Sequence, residues 1–297
     1  IPNMILYGPP GTGKTTLVNH VLKDAYKKGR LIAVTSFTNK ATNVISRKTP
    51  FAQGITLFKL LGLKTDESSE NLNFKKEGKS LVSNFDIIVL DEVSMVNDEH
   101  LDLLLKEIGG MFSHTKLLIL GDPCQLPPIG QEEDSKAFNI ENSFELTQVI
   151  RQSTDSNIIK YSFCVREILK KINNDEKVPI KTKLKPEDLS SKDDLIILDN
   201  SKRFLELLLE DFASDNYQNS SDYVKVLAYR NNTIDKVNDL IRKRIFGELE
   251  DNIAKGENII LTSPVLDLSM GTVLYDSSDE LEVTDILESG MYDSEDH

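Results

Sequence analysis

The chain has 297 residues, which is more than one domain usually contains and enough for two domains of roughly 150 residues each. Hydrophobic residues make up 39% of it and charged residues 28%, and no apolar run reaches the roughly 20 residues of a membrane-spanning helix, which argues against a membrane protein. The net charge of −13 disfavours a nucleic-acid partner at first sight, and Cys124 and Cys164, far apart and in no CxxC or Cys/His cluster, argue against a disulfide or zinc framework.

Predicted strands alternate with predicted helices, which is the pattern of a parallel sheet covered by helices. The first set comprises strands at residues 4–7, 31–36, 85–90 and 116–120 and helices at 14–28 and 98–108. A second alternation begins near residue 144, with helices at 156–171, 202–212 and 233–246 and strands at 195–198 and 223–228. We therefore predict an α/β protein built from two such units, with an exposed connector or insertion at residues 173–192.

The first chemical motif follows the first strand. Residues 8–15, GPPGTGKT, match GxxxxGK[ST] between a strand and a helix, the setting that this phosphate-binding loop (P-loop) requires. Glycines let the backbone point its N–H groups at a polyphosphate, and the helix N-terminus adds partial positive charge. We expect Lys14 to reach the β- and γ-phosphates of ATP and Thr15 to bind Mg²⁺. The predicted nucleotide-binding residues are Gly8, Pro9, Pro10, Gly11, Thr12, Gly13, Lys14, Thr15 and Thr16.

The second motif is FDIIVLDE, in which a buried strand ends in two acidic residues. Ligands of parallel sheets lie at the carboxyl ends of the strands, so Asp91 and Glu92 are expected beside the P-loop. We predict that Asp91 holds Mg²⁺ and that Glu92 acts as the base that deprotonates an attacking water.

Two further residues are candidates for the same site. Gln125, in GDPCQLPPIG, is a neutral amide that could contact the γ-phosphate or the attacking water. Arg151, in ELTQVIRQ, lies where the second unit begins and could stabilise charge on the γ-phosphate when two domains close. Without those roles Gln125 lies in an ordinary turn and Arg151 is a surface arginine.

Charge is distributed very unevenly along the sequence. Residues 1–65 contain ten lysines and arginines and one acidic residue, a net charge of +9, whereas residues 256–297 contain eleven acidic and no basic residues, a net charge of −11. Because the local field on one face attracts phosphates, overall acidity does not exclude DNA or RNA. Lys23, Lys27 and Lys28 have the alternative interpretation of a solvated helix face.

Several motifs together resemble the helicases of superfamily one, in order and in spacing. The matching stretches are GPPGTGKTTL, TSFTNKAT, TLFKLLG, LDEVSM, GDPCQLPPIG and LTQVIRQ. DEVSM is similar to the DEASM of the RecD-like and Dda-like branch, superfamily 1B, which moves 5′ to 3′ on DNA. The stretches LAYRNNTIDKVNDLIRKRIFG and GENIILTSPV resemble the phage Dda-like helicases in particular.

The resemblance implies two RecA-like domains with the ATPase site in the cleft between them. The first would span residues 1–143 with a short insertion at about 62–84, part of the second would span 144–262, and a β-rich, SH3-like insertion would start within 263–297. The site would comprise Lys14, Thr15, Asp91, Glu92, Gln125 and Arg151. A single-stranded DNA path would involve Thr35, Phe37, Thr38, Thr56 and Asn231, through phosphate contacts and base stacking, although Phe37 could also be a core aromatic residue.

The sequence departs from the family at a few places. Phe58 stands where relatives often have histidine and Arg230 where many have threonine, so the resemblance does not extend to these two positions. The glutamine motif that reads adenine before the first strand and the later motifs after GENIILTSPV are absent from these residues, so we expect the sequence to be a fragment of the family's motor.

These observations predict a Mg²⁺- and ATP-dependent 5′-to-3′ DNA helicase or translocase. Its expected partners are single-stranded or tailed duplex DNA and proteins of replication or recombination, with no membrane contact, and its expected processes are DNA replication, repair and recombination. We expect it in the cytoplasm, associated with the nucleoid, and of phage or bacterial origin. Two alternatives stay open, an RNA-stimulated helicase ATPase and a non-motor ATP-binding module that regulates a partner.

Overall fold

A computed structural model describes residues 3–65, 74–76, 78–110, 114–128, 131, 134–150, 156–173, 195–198, 200–248, 253–261, 265–267, 272–275 and 279–286. The chain divides into two compact units, Ile1–Leu195 and Ile196–His297. Along the described part no helix is both long and apolar enough to cross a membrane. Arg151, one of the predicted site residues, lies outside the described residues.

The first unit is built on a parallel sheet of six strands. In chain order its elements are β1 Met4–Tyr7, α1 Lys14–Lys27, β2 Ile32–Thr35, α2 Asn39–Lys48, β3 Gln53–Gly54, α3 Leu57–Leu61, β4 Leu63–Thr65, β5 Phe74–Lys76, β6 Ile87–Leu90, α4 Asp98–Ile108, β7 Lys116–Gly121, β8 Ser143–Glu145 and α5 Asn157–Asn173. The strand order is β3-β2-β6-β7-β1-β8, and β4 and β5 form a separate antiparallel pair. The predicted α/β fold with a P-loop is confirmed.

Successive residues of the central strands point to opposite faces of the sheet, and each face has its own core. Ile5, Ile88 and Ile119 pack on one face, with the apolar side of α4 among their neighbours. The next residue of each strand, Leu6, Val89 and Leu120, packs on the other face against α1 and α2. A four-residue apolar strand buried on both sides is what a central strand of a covered parallel sheet requires.

Helix α1 follows its sequence signals closely. Val18 and Leu22, four residues apart, point into the core. The helix ends at Lys27, and Gly29 adopts a φ of 77°, a left-handed conformation in which glycine is favoured after a helix.

The second unit contains three helices and two small antiparallel strand pairs among its described residues. The helices are α6 Ser201–Phe212, α7 Asp215–Asn219 and α8 Asn231–Phe246, and the strands are β9 Asn258–Ile260, β10 Val265–Asp267, β11 Thr272–Tyr275 and β12 Glu280–Glu282. Strand β9 pairs with β12, and β10 pairs with β11. The predicted helices at 202–212 and 233–246 are confirmed, and buried residues of α6 and α8 form the core of this unit.

The strands predicted at residues 195–198 and 223–228 were wrong. Neither segment is a strand in the structure, although each carries an apolar run. Ile196 is 67% exposed and Leu227 is 95% exposed. A buried parallel strand needs neighbouring strands that accept its backbone hydrogen bonds, and neither segment pairs with a strand among the described residues, although Val224 and Val226 pack against the core of this unit.

Candidate nucleotide site

The sheet order brings the predicted motifs to one edge. Strand β1 lies between β7 and β8, and β6 lies on the other side of β7. All these pairs are parallel, so the loops that follow Tyr7, Leu90 and Gly121 leave the same edge of the sheet. The P-loop, the acidic pair and the GDPCQ loop are therefore neighbours in space.

The P-loop has the backbone conformation that its glycines allow. Gly11 and Gly13 have φ values of 79° and 86°, and Gly13 directly precedes α1. The Thr12 hydroxyl donates to the carbonyl oxygen of Pro9 at 2.9 Å, which closes the turn. The N-terminus of the 14-residue helix α1 then provides unpaired N–H groups and a positive dipole end, the usual setting for a phosphate.

Gly8 is held too closely for any side chain. A Cβ at this position would lie 2.1 Å from the carbonyl oxygen of Leu146, in the segment that follows β8. The N–H of Gly8 donates to the carbonyl oxygen of Gly121 at 3.2 Å, which joins the start of the P-loop to the end of β7.

Lys14 is bound by the loop itself. Its Nζ donates to the carbonyl oxygens of Gly8 at 2.7 Å and of Pro9 at 3.1 Å. Burial lowers the pKa of Lys14, and the negative charges of Asp122, Glu92 and Asp91 act in the opposite direction. Because these partners are neutral carbonyls, the ammonium group can move from them to a phosphate oxygen without breaking an ion pair.

Asp91 and Glu92 are partly buried at the end of β6. The Asp91 N–H donates to the carbonyl oxygen of Thr35 at 2.8 Å, and Asp91 Oδ1 accepts the Glu92 N–H at 2.9 Å. Burial raises the pKa of Asp91, and burial together with the charge of Asp91 raises the pKa of Glu92. Raised carboxyl pKa values are typical of sites in which a carboxylate accepts a proton.

Glu92 has an unusual backbone conformation. Its φ of 55° and ψ of 44° are left-handed, and no other non-glycine residue in the described ranges has a positive φ. Such a conformation costs on the order of 1–3 kcal/mol and is concentrated at functional sites. It turns the chain sharply after β6 and begins the short 3₁₀ turn Val93–Met95.

The residues present fit a Mg²⁺ ion. Thr15 lies in the first turn of α1, and Asp91 lies at the end of β6, two strands away. The described residues contain no group of three or more His, Cys, Asp or Glu that could hold a metal ion. Mg²⁺ uses few protein ligands and keeps several waters, so a hydroxyl and a carboxylate beside bound phosphates suit it.

The GDPCQ loop is fixed by a residue that the sequence did not single out. Asp122 is fully buried and accepts the N–H of Cys124 at 3.0 Å and two bonds from Arg166 of α5, at 2.8 and 2.7 Å. Gln125 is half-buried and lies three residues after Asp122. Its N–H donates to the carbonyl oxygen of Asp122 at 3.1 Å. Arg166 was not distinctive in the sequence, because the same predicted helix also contains three lysines and a glutamate.

The segment leading to Arg151 contacts the P-loop. The N–H of Ile150 donates to the carbonyl oxygen of Gly11 at 2.9 Å. The role of Arg151 in the nucleotide site stays a prediction, because Arg151 lies outside the described residues.

The predicted DNA-binding residues have different environments. Thr35 is fully buried, so its side chain does not reach the surface, and its hydroxyl has no hydrogen-bond partner among the described residues. Thr38 and Thr56 cap helices α2 and α3, accepting the N–H groups of Ala41 at 3.2 Å and Lys59 at 3.4 Å. Each of these two hydroxyls still has a hydrogen to donate to a phosphate.

Phe37 and Asn231 are the remaining candidates. Phe37 is half-buried, with its ring centroid 5.1 Å from that of Phe58 and 6.5 Å from that of His100. Its position therefore combines the two predicted possibilities, a ring that packs on the core and a ring that is partly accessible. Asn231 is exposed at the first position of α8 in the second unit.

Comparison with known proteins agrees with the motifs. Residues 1–131 match a family described as an AAA domain. The ATP-dependent DNA helicase dda of Enterobacteria phage T4 is 25% identical over 270 residues, covering 89% of this chain and 57% of that protein. The ATP-dependent DNA helicase Pif1 of Campylobacter jejuni is 30% identical over 143 residues, covering 46% of this chain and 31% of that protein.

Among solved structures, a crystal structure of Pif1 helicase from Candida albicans aligns with a TM-score of 0.46 and 19% identity, covering 96% of this chain and 65% of that one. The chain spans little more than half the length of the phage T4 helicase described above. The predicted resemblance to Dda-like helicases is confirmed, and the P-loop is a nucleotide-binding element.

Proposed function

We propose that this chain carries the motor core of a Mg²⁺- and ATP-dependent DNA helicase or translocase that moves 5′ to 3′. The observation that supports this most directly is the hydrogen bond between Asp91 and Thr35. It joins the acidic pair of the nucleotide site to strand β2, and β2 leads directly into Phe37 and Thr38, two of the DNA-binding candidates. One backbone hydrogen bond thus connects the proposed ATPase site with the proposed DNA-binding surface.

The hydrolysis step uses residues that lie at one edge of the sheet. Lys14 and the N-terminus of α1 bind and orient the triphosphate of ATP. Glu92 accepts the proton of the attacking water, and its environment supports this role because burial favours the protonated carboxyl. Thr15 and Asp91 would hold Mg²⁺, which when bound neutralises charge on the phosphate oxygens.

Two further residues complete the proposed site. Gln125 contacts the attacking water or the γ-phosphate, and the half-buried position of its loop beside the P-loop supports this. Arg151 follows Ile150, whose backbone already contacts Gly11. An arginine delivered there would stabilise charge on the phosphate during transfer and make hydrolysis depend on domain closure.

Movement on DNA requires that the nucleotide site and the DNA surface change together. The Ser36 hydroxyl donates to the carbonyl oxygen of Asp91 at 3.2 Å, a second contact between the two segments. A shift of the Asp91 backbone during the ATP cycle would therefore move Ser36 and the adjacent Phe37. Contacts with phosphates and stacked bases give binding with little sequence preference, which suits a translocating motor.

Assays of ATP hydrolysis and of duplex unwinding test the proposed function. We expect single-stranded DNA to stimulate hydrolysis more than RNA of equal length, and a duplex with a 5′ tail to be unwound in preference to one with a 3′ tail. A 3′ preference would contradict the proposed polarity. Stimulation by RNA alone would favour an RNA helicase, and ATP binding that neither polymer influences would favour a regulatory module.

Replacing Phe37 by leucine is expected to weaken binding of single-stranded DNA by about tenfold, because stacking a base on an aromatic ring contributes roughly 1–3 kcal/mol. Leucine retains apolar contact with Phe58, so the core should be kept. Fluorescence anisotropy with a labelled oligothymidine measures the affinity.

Phe51→Leu is the matched control for this substitution. Phe51 is also a half-buried aromatic residue, 5.5 Å from Tyr26 between ring centroids, but it packs on the opposite face of the sheet. Equal affinities for the Phe37 and Phe51 variants would show that Phe37 serves only the core.

A further inference from the structure

Asp122 and Arg166 form a buried ion pair beside the P-loop. The side chain of Asp122 is 1% exposed and that of Arg166 is 12% exposed. One nitrogen of Arg166, Nη1, donates to both carboxylate oxygens, at 2.8 and 2.7 Å. The pair connects the residue after β7 to the middle of α5.

A buried carboxylate needs a positive partner, since removing one member of such a pair leaves an uncompensated charge in a poorly solvated place. Lys14 is another cation of the same site, and Gly8 connects it with the start of the GDPCQ loop. Gly8 binds the Lys14 ammonium through its carbonyl and binds Gly121, the residue before Asp122, through its N–H. The negative charge of Asp122 acts on Lys14, as do those of Glu92 and Asp91.

We propose that Arg166 is a positioning residue for nucleotide binding, because its pairing with Asp122 keeps that carboxylate from capturing Lys14. Lys14 then stays on the neutral carbonyls of Gly8 and Pro9, from which a phosphate can take it. Without Arg166, ATP would have to compete with Asp122 for the lysine. The inference rests on the nucleotide site of the proposed function and is independent of DNA movement.

A purely structural role for the pair gives a different expectation. In that case Arg166 only attaches α5 to the GDPCQ loop, and any variant that lacks the ion pair should bind nucleotide poorly. In the proposed role the harmful species is an unpaired, charged Asp122. Neutralising Asp122 should therefore correct the loss of Arg166, although the ion pair is still missing.

Equilibrium binding of a fluorescent ATP analogue separates the two roles. We expect Arg166→Met to weaken binding roughly tenfold, because a lysine paired with a carboxylate must be released before it binds phosphate. The double variant Arg166→Met with Asp122→Asn, and the conservative variant Arg166→Lys, should bind within about threefold of the wild type. Arg30→Met is the matched control, since Arg30 forms an exposed pair with Asp86 at 3.1 Å in the same unit.

The outcomes are distinguishable from one another. A double variant as weak as Arg166→Met, or an Arg166→Met variant that binds like the wild type, would overturn the inference. If Arg166→Met does not fold in thermal unfolding, the double variant decides alone, because it contains no buried unpaired carboxylate. If Lys14→Ala leaves binding unchanged, the nucleotide site itself is wrong, which is a failure of the proposed function and not of the role of Arg166.

Discussion

Replacing Lys14 by alanine is expected to lower ATP hydrolysis by about a thousandfold, the scale observed when one preorganised charge stabiliser is removed from an active site. The ammonium group already lies on the P-loop, 2.7 Å from the carbonyl oxygen of Gly8, where it can follow a phosphate. Arg166, another cation of this site, is already paired with Asp122, with its Nη1 donating to Asp122 Oδ2 at 2.7 Å. Phosphate release at saturating single-stranded DNA measures the loss.

Lys27→Ala provides the control for this variant. Lys27 is the last residue of the same helix, α1, and it is exposed. It should hydrolyse ATP at the wild-type rate, which separates the loss of one particular ammonium group from a change in the charge of the helix. If Lys14→Ala retained more than about a tenth of the activity, Lys14 would not be the phosphate ligand.

The sequence was most informative where local pattern and position in the sheet agree. Residues 87–90 are apolar without interruption, which predicts a strand buried on both faces, and Ile88 and Val89 indeed pack in opposite cores. The glycines of the P-loop likewise predict the backbone, because Gly11 and Gly13 adopt positive φ values. Such features depend on residues that are neighbours in the chain.

Features that depend on distant partners were not predictable in the same way. Arg166 and Asp122 are 44 residues apart, and no local pattern indicates that they pair. The left-handed conformation of Glu92 is also a tertiary effect, since its residue type does not favour a positive φ. The apolar run at residues 195–198 shows the converse, because this strand-forming pattern pairs with no strand in the described ranges, and residues 196–198 are exposed.

The exposure of the DNA-binding candidates was also not predictable from the sequence. A motif identifies a segment, but burial decides which of its side chains can contact a ligand. Thr35, the last residue of β2, is fully buried, whereas Phe37 and Thr38 in the following segment are partly exposed. Side chains alternate between the two faces of a sheet only within a strand, and β2 ends at Thr35. The sequence alone therefore could not assign the exposure of the residues that follow.

The environment of Glu92 supports a role in proton transfer that an amide could not perform. Its strained backbone fixes the side chain after β6, and the nearby charge of Lys14 acts against the effects of burial and Asp91 on its pKa. A glutamine has nearly the same shape and can still accept a hydrogen bond, but it cannot take up the proton of a water. Glu92→Gln therefore separates the binding of ATP from its hydrolysis.

Glu92→Gln is expected to slow single-turnover hydrolysis by about a thousandfold, within the range for loss of a general base, and to leave binding of a fluorescent ATP analogue nearly unchanged. Glu99→Gln is the matched control, because Glu99 lies exposed in the first turn of α4 and should hydrolyse ATP normally. The two readouts must diverge for the assignment to hold. Equal losses of binding and hydrolysis would mean that Glu92 shapes the nucleotide site, and unchanged hydrolysis would transfer the role of base to another residue.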